Sequence, residues 1–239
     1  MHKILTDILV EGRDELPRLF IFVGAYGSGK SEVAVNFARM LRESLPDRKL
    51  LLADLDIVNP FFRSADAADI LAQENIRLIA PNYANTNVDA PTVSGEMYSI
   101  FDDPSYTGVF DIGGEDLGAK ILASMSSRFR TIAYRVYMVV NTCRPFTADA
   151  EGIAKMSREL EIASRLKIDG FINNTNLLEM TTTQMIVESQ PILEKATELT
   201  GIPVAFYSGF NENLKEFSKT SSNFEISLLS MQRSVLYNS

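Results

Sequence analysis

Two patterns of apolar positions alternate along the chain. Leu19–Gly24 (LFIFVG) is a short continuous apolar run ending in glycine, as in a strand buried on both faces of a parallel sheet. From Ser31 the spacing changes, and Val33, Ala34, Phe37, Ala38 and Leu41 recur at helical intervals until Pro46 and Asp47. Lys49–Asp54 (KLLLAD) reads as the second strand, Ala65–Leu71 as a short helix and Arg77–Ala80 as a short strand. Strand signals return at Thr107–Ile112 and Arg135–Val140, with a helix predicted over Asp116–Phe129 between them. Ile153, Met156, Leu160, Ala163 and Leu166 mark an amphipathic helix, and Gly170–Asn173 (GFIN) a further strand. Thr181–Glu188 predicts a helix and Pro191 the first turn of another, stopped by Gly201–Pro203. Val204–Tyr207 is the last core strand in this reading.

Residues 1–18 are poorly periodic and read as an arm or leader helix, and Pro81 to Pro104 is a long irregular stretch of the kind that carries function. Strands alternating with helices predict right-handed βαβ units, hence a three-layer α/β fold with a mostly parallel sheet and helices on both faces. One domain is expected over residues 19–239.

The segment joining the first strand to the first helix carries chemistry. Gly24–Ser31 reads GAYGSGKS and fits G-x-x-x-x-G-K-[ST] at every defined position, a P-loop in the strand-to-helix context it requires. Gly24, Gly27 and Gly29 let the backbone pass close to phosphate oxygens. The loop residues Gly24, Ala25, Tyr26, Gly27, Ser28 and Gly29, with Lys30, Ser31 and Glu32 at the helix start, form the candidate nucleotide cradle. Lys30 supplies a cation for the β- and γ-phosphates, and the Ser31 hydroxyl is placed for Mg²⁺. Asp54 and Asp56 follow the second strand and Asp111 the fourth, so all three reach the sheet edge that holds the loop. There they are candidates to hold Mg²⁺ or to polarise water, while helix capping is the plain alternative for each. Gly113 and Gly114 behind Asp111 offer a backbone N–H to a γ-phosphate.

Composition narrows the classes. The chain is 46% hydrophobic and 23% charged, which is globular composition. One cysteine, Cys143, and one histidine, His2, exclude a disulfide framework, a multi-thiolate metal site within one chain and a histidine-based triad. Thirty-one acidic against 23 basic residues, net −8, argues against non-specific nucleic-acid binding but leaves a single nucleotide open. No run approaches the roughly 18 apolar residues of a membrane span. Asp7, Glu11, Asp14 and Glu15 occupy the place of an export signal, so a cytoplasmic protein is expected, without membrane or nucleic-acid partners.

GAYGSGKSEVAVNFA, DLDIVNPFFRS, FDIGGEDLGA and VVNTCRPFT together resemble the MinD/ParA/CobQ-CobB type of P-loop protein in the SIMIBI class, over about Leu19 to Phe206. The resemblance implies that Lys30 and Ser31 hold triphosphate and Mg²⁺, that Asp56 organises the attacking water and that Asp111 belongs to the magnesium site. Asn174, after a later strand, stands where P-loop proteins often read the base; a turn-forming role is the alternative. The guanine-reading pattern N-K-x-D is absent, since Thr175 and Leu177 stand at its Lys and Asp positions, which points to adenine and therefore to ATP. The MinD/ParA subgroup carries a second lysine early in the loop, where this chain has Ala25. Three functions follow: a slow ATPase switch acting on a protein partner, with a nucleotide-dependent homodimer as one form; a small-molecule kinase or ATP-dependent ligase, with Arg63 or Arg144 clamping an anion; and a non-catalytic adaptor.

Overall fold

The computed structural model describes residues 17–56, 64–80, 95–113, 116–220 and 227–233. The first apolar run forms β1 (Leu19–Gly24), buried at every residue. It leads through the glycine loop into α1 (Lys30–Ser44), followed by β2 (Lys49–Leu55), α2 (Ala68–Gln73) and β3 (Ile76–Ile79). A short α3 (Ser99–Asp102) precedes β4 (Tyr106–Ile112), α4 (Asp116–Ser124) and β5 (Tyr134–Val140). Then come α5 (Ala150–Ser164), β6 (Gly170–Asn173), α6 (Thr183–Thr200), β7 (Val204–Phe210), α7 (Asn211–Thr220) and β8 (Leu228–Met231).

The strands form one sheet in the order β3-β2-β4-β1-β5-β6-β7-β8, with every neighbouring pair parallel. Helices cover both faces, so the predicted three-layer architecture holds. From β1 the chain winds outward to β3, returns through β4, and then winds the other way. The order therefore reverses beside the C-terminal end of β1, where open α/β sheets bind ligands.

Alternate residues of β1 feed two cores. Leu19, Ile21 and Val23 join Phe110, Met138, Ile153 and Leu193 on one face. On the other, Phe20 and Phe22 pack on Phe37 of α1 with ring centroids 4.9 and 5.1 Å apart. Burying such a ring is worth about 1.5–3 kcal/mol. This clamp fixes α1 to β1, and the loop between them is held at both ends.

Several elements differ from the sequence reading, among them the unpredicted helices α3 and α7. Helix α6 runs through Pro191 instead of breaking before it. The proline is exposed, while Ile186, Ser189, Leu193 and Ala196 form one buried face on both sides of it, and that packing outweighs the lost backbone bond. Helix α4 stops at Ser124, whose hydroxyl donates to the Ile121 carbonyl at 2.7 Å, and Arg128–Thr131 forms a separate turn. Strand β8 lies beyond the predicted last strand, because four residues (LLSM) between polar flanks show no period. Residues 1–16 of the predicted arm, and 81–94 of the long irregular stretch, lie outside the described residues.

Candidate functional site

The glycine loop is a cradle held from outside. Gly27 and Gly29 take φ of 72° and 87°, in the left-handed region. A Cβ on Gly29 would stand 2.3 Å from Asn174 Nδ2. Gly29 also caps α1 without a side-chain bond, so the first-turn N–H groups have no capping oxygen and keep the positive end of the helix available. Lys30 is buried and donates to the Ala25 carbonyl at 3.2 Å. Ser28 is fully buried, and its Oγ has no hydrogen-bond partner among the described residues. Glu32, at the start of α1, accepts from Asn36.

Asn174 sits under this loop. Its Nδ2 donates to the Ser28 carbonyl at 2.8 Å, and its Oδ1 accepts from Ser208 Oγ at 3.0 Å. Both ends of the amide are thus engaged within the protein. Because the peptide bond is planar and trans, holding the Ser28 carbonyl turns the Gly29 N–H to the opposite side. Asn174→Ala is expected to lower stability by about 1–3 kcal/mol and to weaken nucleoside di- and triphosphates alike. A changed base preference in competition binding would instead give Asn174 a base-reading role.

The carboxylates gather where β2 and β4 end. Register sets Asp54 opposite Asp111, and Asp111 beside Phe22 of β1. Asp111 is fully buried; its Oδ2 accepts from Ser64 Oγ at 2.6 Å, and its Oδ1 has no hydrogen-bond partner among the described residues. Burial pushes its carboxyl above the ordinary carboxylate range. The Lys30 charge and the Ser31 and Ser64 hydroxyls pull it back, and the nearby Asp56 adds to the push. Asp54 accepts the backbone N–H groups of Asp56 and Ala65, each at 3.0 Å, and so joins the two ends of segment 57–63. Asp56 is buried against Gly113, where a Cβ would stand 2.8 Å from its Oδ1. Gly114, and Asn59–Arg63 of the NPFFR turn, lie outside the described residues.

These donors fit Mg²⁺. An open oxygen on a buried acid, beside the Ser31 hydroxyl, is the hard-donor chemistry magnesium takes. The described residues contain no cluster of three or more His, Cys, Asp or Glu that would form an all-protein cage. Magnesium characteristically completes its shell with water and substrate phosphate.

Beside the loop opens a cavity of about 610 Å³, lined by Lys30, Ser31, Asn174, Asn176, Phe210 and Arg233 among others. That is an ordinary volume for a ligand site. Tyr26, Phe146 and Leu178 line it while remaining 49%, 68% and 53% exposed. Phe210 closes β7 past the predicted end of that strand, and Met231 and Arg233 reach the cavity through the unpredicted β8, so none of the three carried a signal in the sequence. Gln232 is held to α1 by Asn36, and Arg233 pairs with Glu179 over the Phe210 ring. Burial pushes the Cys143 thiol up, against the Arg144 charge, which disfavours the thiolate form.

No family model and no curated protein sequence matches the chain. Solved structures do match it. FtsY from Mycoplasma mycoides aligns with a TM-score of 0.56 at 17% identity, covering 92% of this chain and 71% of that one. FtsY from Thermotoga maritima gives 0.53 at 18%, covering 88% and 69%. FlhF complexed with GTP/Mg²⁺ gives 0.51 at 12%, covering 86% and 72%.

The fold is that of a P-loop NTPase.

These likenesses correct the sequence reading. The matched structures are FtsY and FlhF, a branch of the SIMIBI class distinct from MinD/ParA/CobQ-CobB. ATP and the ATPase activity were expected from the missing N-K-x-D pattern and from that resemblance, and the kinase or ligase alternative from the resemblance; the matched FlhF structure is instead complexed with GTP/Mg²⁺. The Asn174 amide, the expected reader of the base, is engaged by Ser28 and Ser208. No helix among the described residues is long and apolar enough to cross a membrane.

Proposed function

We propose that this protein is a Mg²⁺-dependent GTP-binding switch that hydrolyses GTP slowly and reports its nucleotide state to a protein partner. One observation carries the reading: a buried Asp111 with an open oxygen faces the phosphate loop beside Ser31 and Lys30. Guanine as the base is supported by the fold shared with the FlhF–GTP/Mg²⁺ complex. A protein partner is supported by the apolar side chains of Tyr26, Phe146 and Leu178 exposed at the cavity rim.

In this reading the loop N–H groups and Lys30 bind the phosphates, and Ser31 and Asp111 hold Mg²⁺, which supplies charge neutralisation to the phosphate oxygens. Asp54 holds the backbone of Asp56 and of Ala65 and is a positioning residue. Ser64, directly before Ala65, donates to Asp111. A change at the magnesium site therefore has a hydrogen-bonded route to Ser64, and a switch requires such a coupled element. Asp56, beside Gly113 at the strand ends, orients the attacking water.

The test is Asp56→Ala. The variant should bind GTP as the parent does, while single-turnover hydrolysis falls by roughly 10²–10⁴-fold, the range for a positioned acid–base group. Equal hydrolysis by parent and variant would remove Asp56 from the reaction.

A further inference from the structure

We propose that Arg144 is a second cation of the phosphate site and contacts the terminal phosphate of the triphosphate. The inference rests on the nucleotide reading above. Arg144 lies in the loop after β5, and its Nε donates to the Gly27 carbonyl at 3.0 Å. Its side chain lies along Gly27: a Cβ there would stand 3.4–3.8 Å from Nε, Cδ and Cζ. The guanidinium lines the same cavity as Lys30 and Ser31, and its Nη groups have no hydrogen-bond acceptor among the described residues.

The other arginine lining this cavity is differently placed, since Arg233 is paired with Glu179. In a chain of net charge −8, a half-buried guanidinium with no acidic partner among the described residues and beside a phosphate loop favours an anion there. A planar fork with unused N–H groups suits phosphate oxygens better than a point charge does. The loop N–H groups serve the α- and β-phosphates and Lys30 the β and γ. The terminal phosphate is therefore the one left with oxygens for a further donor.

The anchor of Arg144 is stiff, which makes the contact informative. Asn141 is fully buried, and its Oδ1 accepts the N–H groups of Cys143 and Asn176 at 3.0 and 3.2 Å. Its Nδ2 donates to the Asn176 carbonyl at 3.0 Å, and its own carbonyl accepts the Arg144 N–H and the Thr147 hydroxyl. The Arg144 loop and the 173–176 segment are thus joined through the Asn141 side chain, and again where Thr142 meets Thr175 Oγ1. Gain or loss of the terminal phosphate at Arg144 is passed to the wall of the cavity.

The experiment compares GTP and GDP affinities, with Mg²⁺, of the full chain, Arg144→Ala and Arg144→Lys. The ratio of GTP to GDP affinity should fall tenfold or more in Arg144→Ala, with partial recovery in Arg144→Lys. If Arg144 merely braced Gly27, both affinities would shift alike, and an unchanged ratio overturns the proposal. Should Arg144→Ala not fold, Arg144→Lys keeps a donor for the Gly27 carbonyl and decides by the same ratio, expected to fall about threefold. Failure of the parent chain to bind either nucleotide overturns the nucleotide reading itself, and this inference with it.

Discussion

Lys30→Ala is expected to weaken GTP binding by roughly 10²–10⁴-fold while leaving the fold in place. The magnitude follows from two charge-assisted hydrogen bonds of about 1.5–3 kcal/mol each, at about 1.4 kcal/mol per tenfold. Without ligand, Lys30 makes one bond to the Ala25 carbonyl and offsets part of the buried Asp111 charge, so its removal costs the folded protein both of these. The loop remains held by Asn174 at Ser28 and by Arg144 at Gly27. Titration calorimetry with Mg²⁺-GTP, next to a thermal melt of each protein, separates lost binding from lost structure. Retained binding in a well-folded variant would mean that the loop does not cradle phosphate in the way described.

Asp111→Asn should produce opposite effects on stability and activity. In the metal-free protein, Asp111 is buried with one oxygen unpartnered among the described residues, and the amide removes the charge while keeping an acceptor for Ser64. Relief of about 1–2 kcal/mol, at about 2–4 °C per kcal/mol for a chain of this size, raises the melting temperature at neutral pH by roughly 2–8 °C. Mg²⁺-dependent hydrolysis should fall by about a hundredfold or more, since the acid for the metal is gone. The pH dependence has a definite sign. The folded state binds the Asp111 proton more tightly than the ordinary value of 3.8, so its contribution to stability is fully present below 3.8 and is lost as pH rises through the raised folded value. The gain of the asparagine variant over the parent should grow with rising pH across that window. A variant that melts lower at neutral pH would show that the burial of this charge is compensated by groups not recognised above. Lys30 and Asp111 also act on each other, so the two substitutions should not be additive.

The sheet was legible because its strands are continuous apolar runs between helical spacings. Leu19–Gly24 and Gly170–Asn173 were placed to the residue, and Thr107–Ile112 differed from β4 by one. The phosphate loop and the acids at strand ends were legible because their spacing expresses local chemistry. What depends on tertiary contact was not. Nothing near Asn174 in sequence announces that its amide holds Ser28, 146 positions earlier. Strand β8 exists because β7 offers an edge to Leu228–Met231, and the Asn36–Gln232 clamp joins residues 196 positions apart. Pro191 misled for the same reason, since the buried face of α6 outweighs a local rule. The base is not legible from one motif: the missing N-K-x-D pattern points to adenine, whereas the matched FlhF structure is complexed with GTP.

The most direct test of the switch reading is calorimetric titration of the full chain with GTP and with ATP, in Mg²⁺ and again with the metal chelated. The account predicts saturable one-to-one binding of GTP that weakens on chelation, with ATP weaker by roughly tenfold or more. ATP binding as tight as GTP, or no binding of either nucleotide, would contradict it.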